Sequence, residues 1–107
     1  MKNPIIKNVK VIFTEPDGIR LVIVKIETAH SGLYGVGCAT FTQRPTPVKA
    51  AIEDYLAPFL KGKSVKDIED IWASSYVSSY WRNGPVLTNA LSGIDQALWD
   101  IKGKMAN

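Results

Sequence analysis

A single cysteine, Cys38, stands in 107 residues. No disulfide can form within the chain, so the cross-linked scaffolds typical of small secreted domains are excluded. Histidine is equally scarce. His30 is alone, with no second histidine and no cysteine near it, so no zinc-ligand spacing exists. No apolar run approaches the roughly 20 residues that a membrane-spanning helix needs, and no signal-peptide pattern precedes the first strand. These absences together point to a reducing, cytoplasmic setting. The charge excess is only +3. The lysines and arginines are scattered and never cluster with aromatics, so neither a nucleic acid nor a membrane is an expected partner. A glycine-rich phosphate loop and a nucleophile elbow are also missing. Repeats, low-complexity tracts and linkers are absent. With 46% hydrophobic residues, the chain has the material for one domain with its own core.

What is present reads in order as strands and then helices. Residues 5–14 (IIKNVKVIFT) are rich in β-branched side chains and predict a strand. Glu15-Pro16-Asp17-Gly18 predicts a hairpin turn, since Pro presets φ and Gly accepts positive φ. Residues 20–28 alternate Leu21, Ile23 and Lys25 with Val22, Val24 and Ile26. This predicts a central strand covered on both faces. After a turn at 29–32, residues 33–41 predict a third strand. It is interrupted by Gly35 and Gly37, which mark a close approach by another element. The expected sheet is an antiparallel three-stranded meander.

Thr46-Pro47 supplies an N-cap and a first-turn proline for a helix to about residue 60. Val48, Ala51, Ile52, Tyr55 and Leu56 form its apolar face, and Pro58 bends or ends it early. Ser64-Val65-Lys66-Asp67 resembles a capping box opening a helix to about 78. Ile68, Ile71, Trp72 and Tyr76 are its buried stripe. Pro85 then starts the long helix 86–104, around which the chain is organised. Leu87, Ala90, Leu91, Ile94, Ala97, Leu98, Ile101 and Met105 fall on one stripe. Ala90, Gly93 and Ala97 edge it with small residues. Asp95, Trp99 and Lys102 form a second face, which implies a second packing partner. Strands followed by three to four helices define an α+β fold.

Few residues carry chemistry. His30 sits in a turn and reads as solvated, and Cys38 reads as a small buried hydrophobe. Glu53 and Asp54, like Glu69 and Asp70, are helix neighbours about 100° apart, so neither pair converges. Asp100 precedes Lys104 by one turn and predicts a helix-surface ion pair. Two loops stand apart: Thr42-Gln43-Arg44 and Tyr80-Trp81-Arg82-Asn83. Both combine hydrogen-bond donors with a guanidinium, and the second adds aromatics. Two readings are open for them: exposed loops with an incidental arginine, or the walls of a small-acid site.

The sequence Ala90-Leu91-Ser92-Gly93-Ile94-Asp95-Gln96-Ala97-Leu98-Trp99-Asp100-Ile101-Lys102-Gly103-Lys104 closely resembles the signature helix of the mandelate racemase/muconate lactonizing group in the enolase superfamily. The segments 32–37 (GLYGVG), 68–72 (IEDIW) and 80–86 (YWRNGPV) agree. Together they resemble the mannonate dehydratase-like subgroup, including its starvation-sensing members.

The resemblance implies that residues 1–107 are an N-terminal capping domain. In the family a (β/α)₇β barrel follows and carries the Mg²⁺ ligands and the acid/base residues. The implied reaction abstracts the proton beside a sugar-acid carboxylate and eliminates water to a 2-keto-3-deoxy acid. The chain stops before any barrel strand, so it is expected to hold no catalytic residue, no metal and no cofactor, and to be inactive by itself. Thr42, Gln43, Arg44, Tyr80, Trp81 and Arg82 are the implied substrate-binding residues. A sugar acid, the barrel and further copies of the chain are the implied partners. Active mannonate dehydratases of the family carry Asn where Thr42 stands, and a hydroxyl replaces a longer amide. Gluconate or another acid sugar, weak activity, and no dehydratase activity are the openings this leaves. The alternative is a non-catalytic acid-binding, regulatory or self-associating module.

Overall fold

Three strands take up the β-branched segments: β1 (Ile6–Thr14), β2 (Leu21–Thr28) and β3 (Tyr34–Cys38). They pair antiparallel in the order β1-β2-β3, the expected meander. The computed structural model describes residues 4–18, 21–40, 45–65, 67, 68, 71 and 85–106, with the side chains of 85–87 left aside. The β1–β2 turn is a short 3₁₀ segment, Pro16–Gly18, in which Asp17 and Gly18 take positive φ. An aspartate tolerates this backbone better than most residues.

Register sorts the side chains. Val9, Val11 and Phe13 lie opposite Ile26, Val24 and Val22, and Gly37 and Gly35 complete that inner face. Ile12, Ile23 and Val36 align on the outer face. The expectation that β2 is covered on both faces is corrected here. Val22, Val24 and Ile26 are fully buried, but Leu21, Ile23 and Lys25 are only half-buried and Ile12 and Val36 stand exposed. All the described helical core residues lie under the inner face, so the outer one receives no helical layer from the described residues. Cys38 falls on the outer face and is exposed rather than buried, because two-residue periodicity puts it in line with Val36 and Tyr34. Its Sγ lies 2.7 Å from Thr40 Oγ1.

Helix α1 (Pro45–Ala50) widens into a π-helical stretch, Ala51–Leu56, and continues as α2 (Ala57–Leu60). The Ala57 N–H reaches back five residues to the Ile52 carbonyl. Pro58 explains the widening. It lacks an N–H, and its ring would press on the carbonyl one α-turn before it. The proline therefore reshapes the helix without ending it. The wider turn also rotates Tyr55 out of the expected apolar face, leaving it 74% exposed. Val48, Ala51, Ile52 and Leu56 remain buried as expected.

Beyond α2 the chain returns along the outer side of β1. Ile6 N–H donates to the Lys63 carbonyl, Gly62 N–H to the Ile6 carbonyl and Val65 N–H to the Pro4 carbonyl, at 2.9–3.0 Å. Ile68 and Ile71 are buried, and Ile71 N–H donates to the Asp67 carbonyl at 2.8 Å. Trp72 and Tyr76, the remainder of that stripe, lie outside the described residues.

Helix α3 (Pro85–Ala106) is the long C-terminal helix. Ala90, Leu91, Ile94, Ala97, Leu98 and Ile101 are buried in one core with Val24, Ile26, Ile52, Leu60 and Ile71, and Met105 packs against it. Fully burying side chains of this size stabilises by roughly 1.5–3 kcal/mol each before entropy is counted. The helix lies almost on the backbone of β3. A Cβ on Gly37 would strike the Gly93 carbonyl oxygen, and one on Gly93 would come within 2.6 Å of the Ala39 Cβ. The small residues and strand glycines are two halves of one contact. Among the described residues no helix is long and apolar enough to cross a membrane.

Candidate functional site

The six residues with binding potential, Thr42, Gln43, Arg44, Tyr80, Trp81 and Arg82, lie outside the described residues. Their anchor points do not. Gly93 abuts Gly37 and Ala39, whereas Ala97 and Ile101 abut Gly35, so α3 runs antiparallel to β3. Its N-terminal end therefore lies beside the end of β3. Thr40, after β3, and Pro85, the first residue of α3, therefore lie at the same end of this layer. Thr40 is fixed there, its Oγ1 accepting the Val22 N–H at 3.1 Å.

The β1–β2 turn reaches the same end. Phe13, Thr14, Glu15, Leu21 and Pro45 line an open pocket of about 260 Å³. Phe13 is half-exposed, and the Lys49 ammonium lies 5.4 Å from its ring centre. Among the described residues this end offers an apolar rim and a cation. Among the described residues no three His, Cys, Asp or Glu side chains come together to hold a metal. His30 is exposed in its turn, as expected.

A second surface lies along α3. Trp99 is 48% exposed, and Lys102 Nζ lies 4.7 Å from its ring centre. One turn earlier, partial burial raises the Asp95 carboxyl above the ordinary aspartate range, and a hydrogen bond from Trp99 pulls partly the other way. On the sheet, Glu27 is held below its ordinary range chiefly by its hydrogen bond to Lys10, whose Nζ is 3.3 Å away.

Sequence reasoning missed a row on the flank of α3. Gln96 Oε1 accepts the Cys38 N–H at 3.0 Å, Asp100 Oδ2 accepts the Val36 N–H at 3.0 Å, and Lys104 Nζ donates to the Tyr34 carbonyl at 2.7 Å. The expected Asp100–Lys104 pair exists at 3.3 Å, but its members also serve the strand. The available signal was the i, i+4, i+8 spacing of Gln96, Asp100 and Lys104 beside the core stripe.

Residues 2–107 match the family described as mandelate racemase/muconate lactonizing enzyme, N-terminal domain. The chain belongs to that family. This enolase-superfamily N-terminal domain is 68% identical over 106 residues to the D-galactonate dehydratase family member RspA of Pantoea ananatis, covering 99% of the chain and 25% of the relative. It is 64% identical over 107 residues to a D-galactonate dehydratase family member of Enterococcus gallinarum, covering 100% and 27%. A crystal structure of an enolase from Pantoea ananatis with bound D-gluconate and Mg superimposes with a TM-score of 0.95 at 68% identity, covering 97% of this chain and 25% of that one. The chain thus spans about a quarter of the length of these relatives. The α+β fold expected from the sequence is the fold of this domain.

Proposed function

We propose that this chain is the substrate-capping domain of an Mg²⁺-dependent acid-sugar dehydratase of the D-gluconate/D-galactonate type, acting in the cytoplasm. The observation that carries the reading is the 68% identity, with a 0.95 TM-score, to a protein whose structure holds D-gluconate and Mg. Thr42 in place of the asparagine of mannonate dehydratases supports gluconate over mannonate. Thr42, Gln43 and Arg44, with Tyr80, Trp81 and Arg82, contribute specificity: the guanidiniums meet the sugar-acid carboxylate and the aromatics exclude water. The anchors of both loops at one end of the α3–β3 layer support their acting together.

The described residues do not fit a magnesium site, since no carboxylate cluster forms among them. On this reading proton abstraction and metal binding belong to a barrel outside residues 1–107, and no chemical step is assigned to this chain. Trp99 and its neighbours on α3 supply a surface for the rest of the protein. The exposed Ile12 and Val36 of the outer sheet face favour association with further copies, and a monomer in light scattering at high concentration would count against that.

A domain exchange tests the reading. Residues 1–107 replace the matching segment of the Pantoea ananatis relative, and dehydration of D-gluconate, D-galactonate and D-mannonate is followed with Mg²⁺. The hybrid retains the relative's substrate preference, and Arg44→Ala in it lowers kcat/KM. A hybrid that folds but switches to D-mannonate, or an Arg44→Ala hybrid as active as its parent, would contradict the assignment.

A further inference from the structure

The two outer strands of the sheet are finished differently. The N-terminal part of β1 is met by backbone, through the 62–65 segment. The edge of β3 is met by side chains from α3. Tyr34, Val36 and Cys38 are the β3 residues whose backbone polar groups face away from β2. Gln96, Asp100 and Lys104 offer them acceptor, acceptor and donor, in the order the strand requires.

The match is geometric as well as chemical. Two residues of antiparallel strand advance about 6.8 Å, and four residues of helix advance about 6.0 Å. Over two steps the mismatch is only about 1.6 Å, which the long Gln96 and Lys104 side chains absorb. Ser92 Oγ braces Gln96 by accepting its amide at 3.2 Å, and Lys104 braces Asp100. Gly35 and Gly37 bring the helix close enough for these reaches.

We propose that the Gln96–Asp100–Lys104 row substitutes for a fourth strand and closes the β3 edge to a second copy of this chain. A free edge of this kind is a template for strand addition. A second β3 is the complementary occupant. Arranged antiparallel about Val36, each Val36 exchanges its N–H and C=O with its twin. The outer apolar residues Ile12, Ile23 and Val36 of both copies then run on as one face. The row opposes this option by holding three of the groups such pairing needs: the Val36 and Cys38 N–H and the Tyr34 carbonyl.

The test compares the chain with Gln96→Ala/Asp100→Ala, using amide hydrogen exchange by NMR and sedimentation velocity. Alanine is a good helix former at these partly exposed positions, so α3 is retained, as circular dichroism checks. At low concentration exchange at Val36 and Cys38 accelerates about tenfold, the loss expected for one net hydrogen bond each. At high concentration the double variant sediments as a larger species than its parent, and the same two amides regain protection. Asp100→Asn keeps an acceptor and behaves as the parent does. Unchanged exchange at Val36 and Cys38 would overturn the row as their partner. Faster exchange with parental sedimentation at every concentration would overturn its edge-closing role. Should the double variant lose its helical signal, the single variants decide. Gln96→Ala must accelerate Cys38 alone and Asp100→Ala Val36 alone, and failure of either overturns the assignment.

Discussion

Gly37→Ala is the sharpest perturbation available to this fold, because one methyl group is placed between two backbones. The new Cβ would press against the Gly93 carbonyl oxygen and lie 2.8 Å from both the Ala97 nitrogen and the Gln96 Cβ. None of these is the free end of a flexible side chain. Restoring an ordinary separation of about 3.5 Å moves α3 away from β3 by roughly 1 Å. A gap of that size forfeits a quarter to a half of the attraction in each affected contact. It also stretches the 3.0 Å bond between Cys38 N–H and Gln96 beyond hydrogen-bond range. Overpacking of about 1–3 kcal/mol and about 1 kcal/mol for the lost hydrogen bond give a destabilisation of about 2–4 kcal/mol. For a domain of this length that lowers Tm by roughly 10–25 °C. Thermal unfolding followed by circular dichroism reads it directly. Gly103→Ala is the internal contrast. It is the same substitution, inside the same helix, with nothing within 4 Å of the added Cβ. It raises stability by about 0.5–1 kcal/mol through helix propensity. A Gly37→Ala chain melting within about 3 °C of the parent, a range that fits less than 1 kcal/mol, would refute the close contact of α3 with β3.

Asp95→Asn stabilises the chain at pH 7. The folded-state carboxyl titrates above its unfolded value, so its charged form is disfavoured by folding, and that cost is present once pH rises through the folded-state pKa. The amide keeps an acceptor for Trp99, and the advantage over the parent disappears as pH falls below the unfolded-state pKa. Denaturant titrations at neutral and acid pH check this, and an advantage that persists in acid would exclude the electrostatic cause. Cys38, exposed on the outer sheet face, reacts with a maleimide in the dilute native chain no more slowly than in the unfolded one. Strong protection at dilutions where the chain sediments as a monomer would contradict that exposure.

Periodicity made much of this structure legible. The apolar stripe of α3 and the β-branched strands bury the side chains that their spacing indicated, because burial follows the geometry of a single element. Glycine placement was equally readable. Gly35, Gly37 and Gly93 each lack a Cβ where another backbone approaches. What escaped depended on relations between elements. Whether Ile23 and Cys38 were covered turned on a layer that the described helices do not provide. Tyr55 turned outward because Pro58 enforces a wider helical turn three residues before it. The Gln96–Asp100–Lys104 row looked like an ordinary solvated flank, since its partners are backbone groups that no side-chain pattern records. The candidate loops 42–44 and 80–82 stood out by donor and aromatic content. That content makes them candidates for recognition and carries no record of which acid they would select.

The central claim is that this domain caps a reaction whose chemistry is performed elsewhere in the protein. The most direct measurement incubates the 107-residue chain with D-gluconate, D-galactonate and D-mannonate in the presence of Mg²⁺ and assays the 2-keto-3-deoxy acid. The account predicts no product from any of the three. Turnover of any one of them by the isolated polypeptide would contradict it.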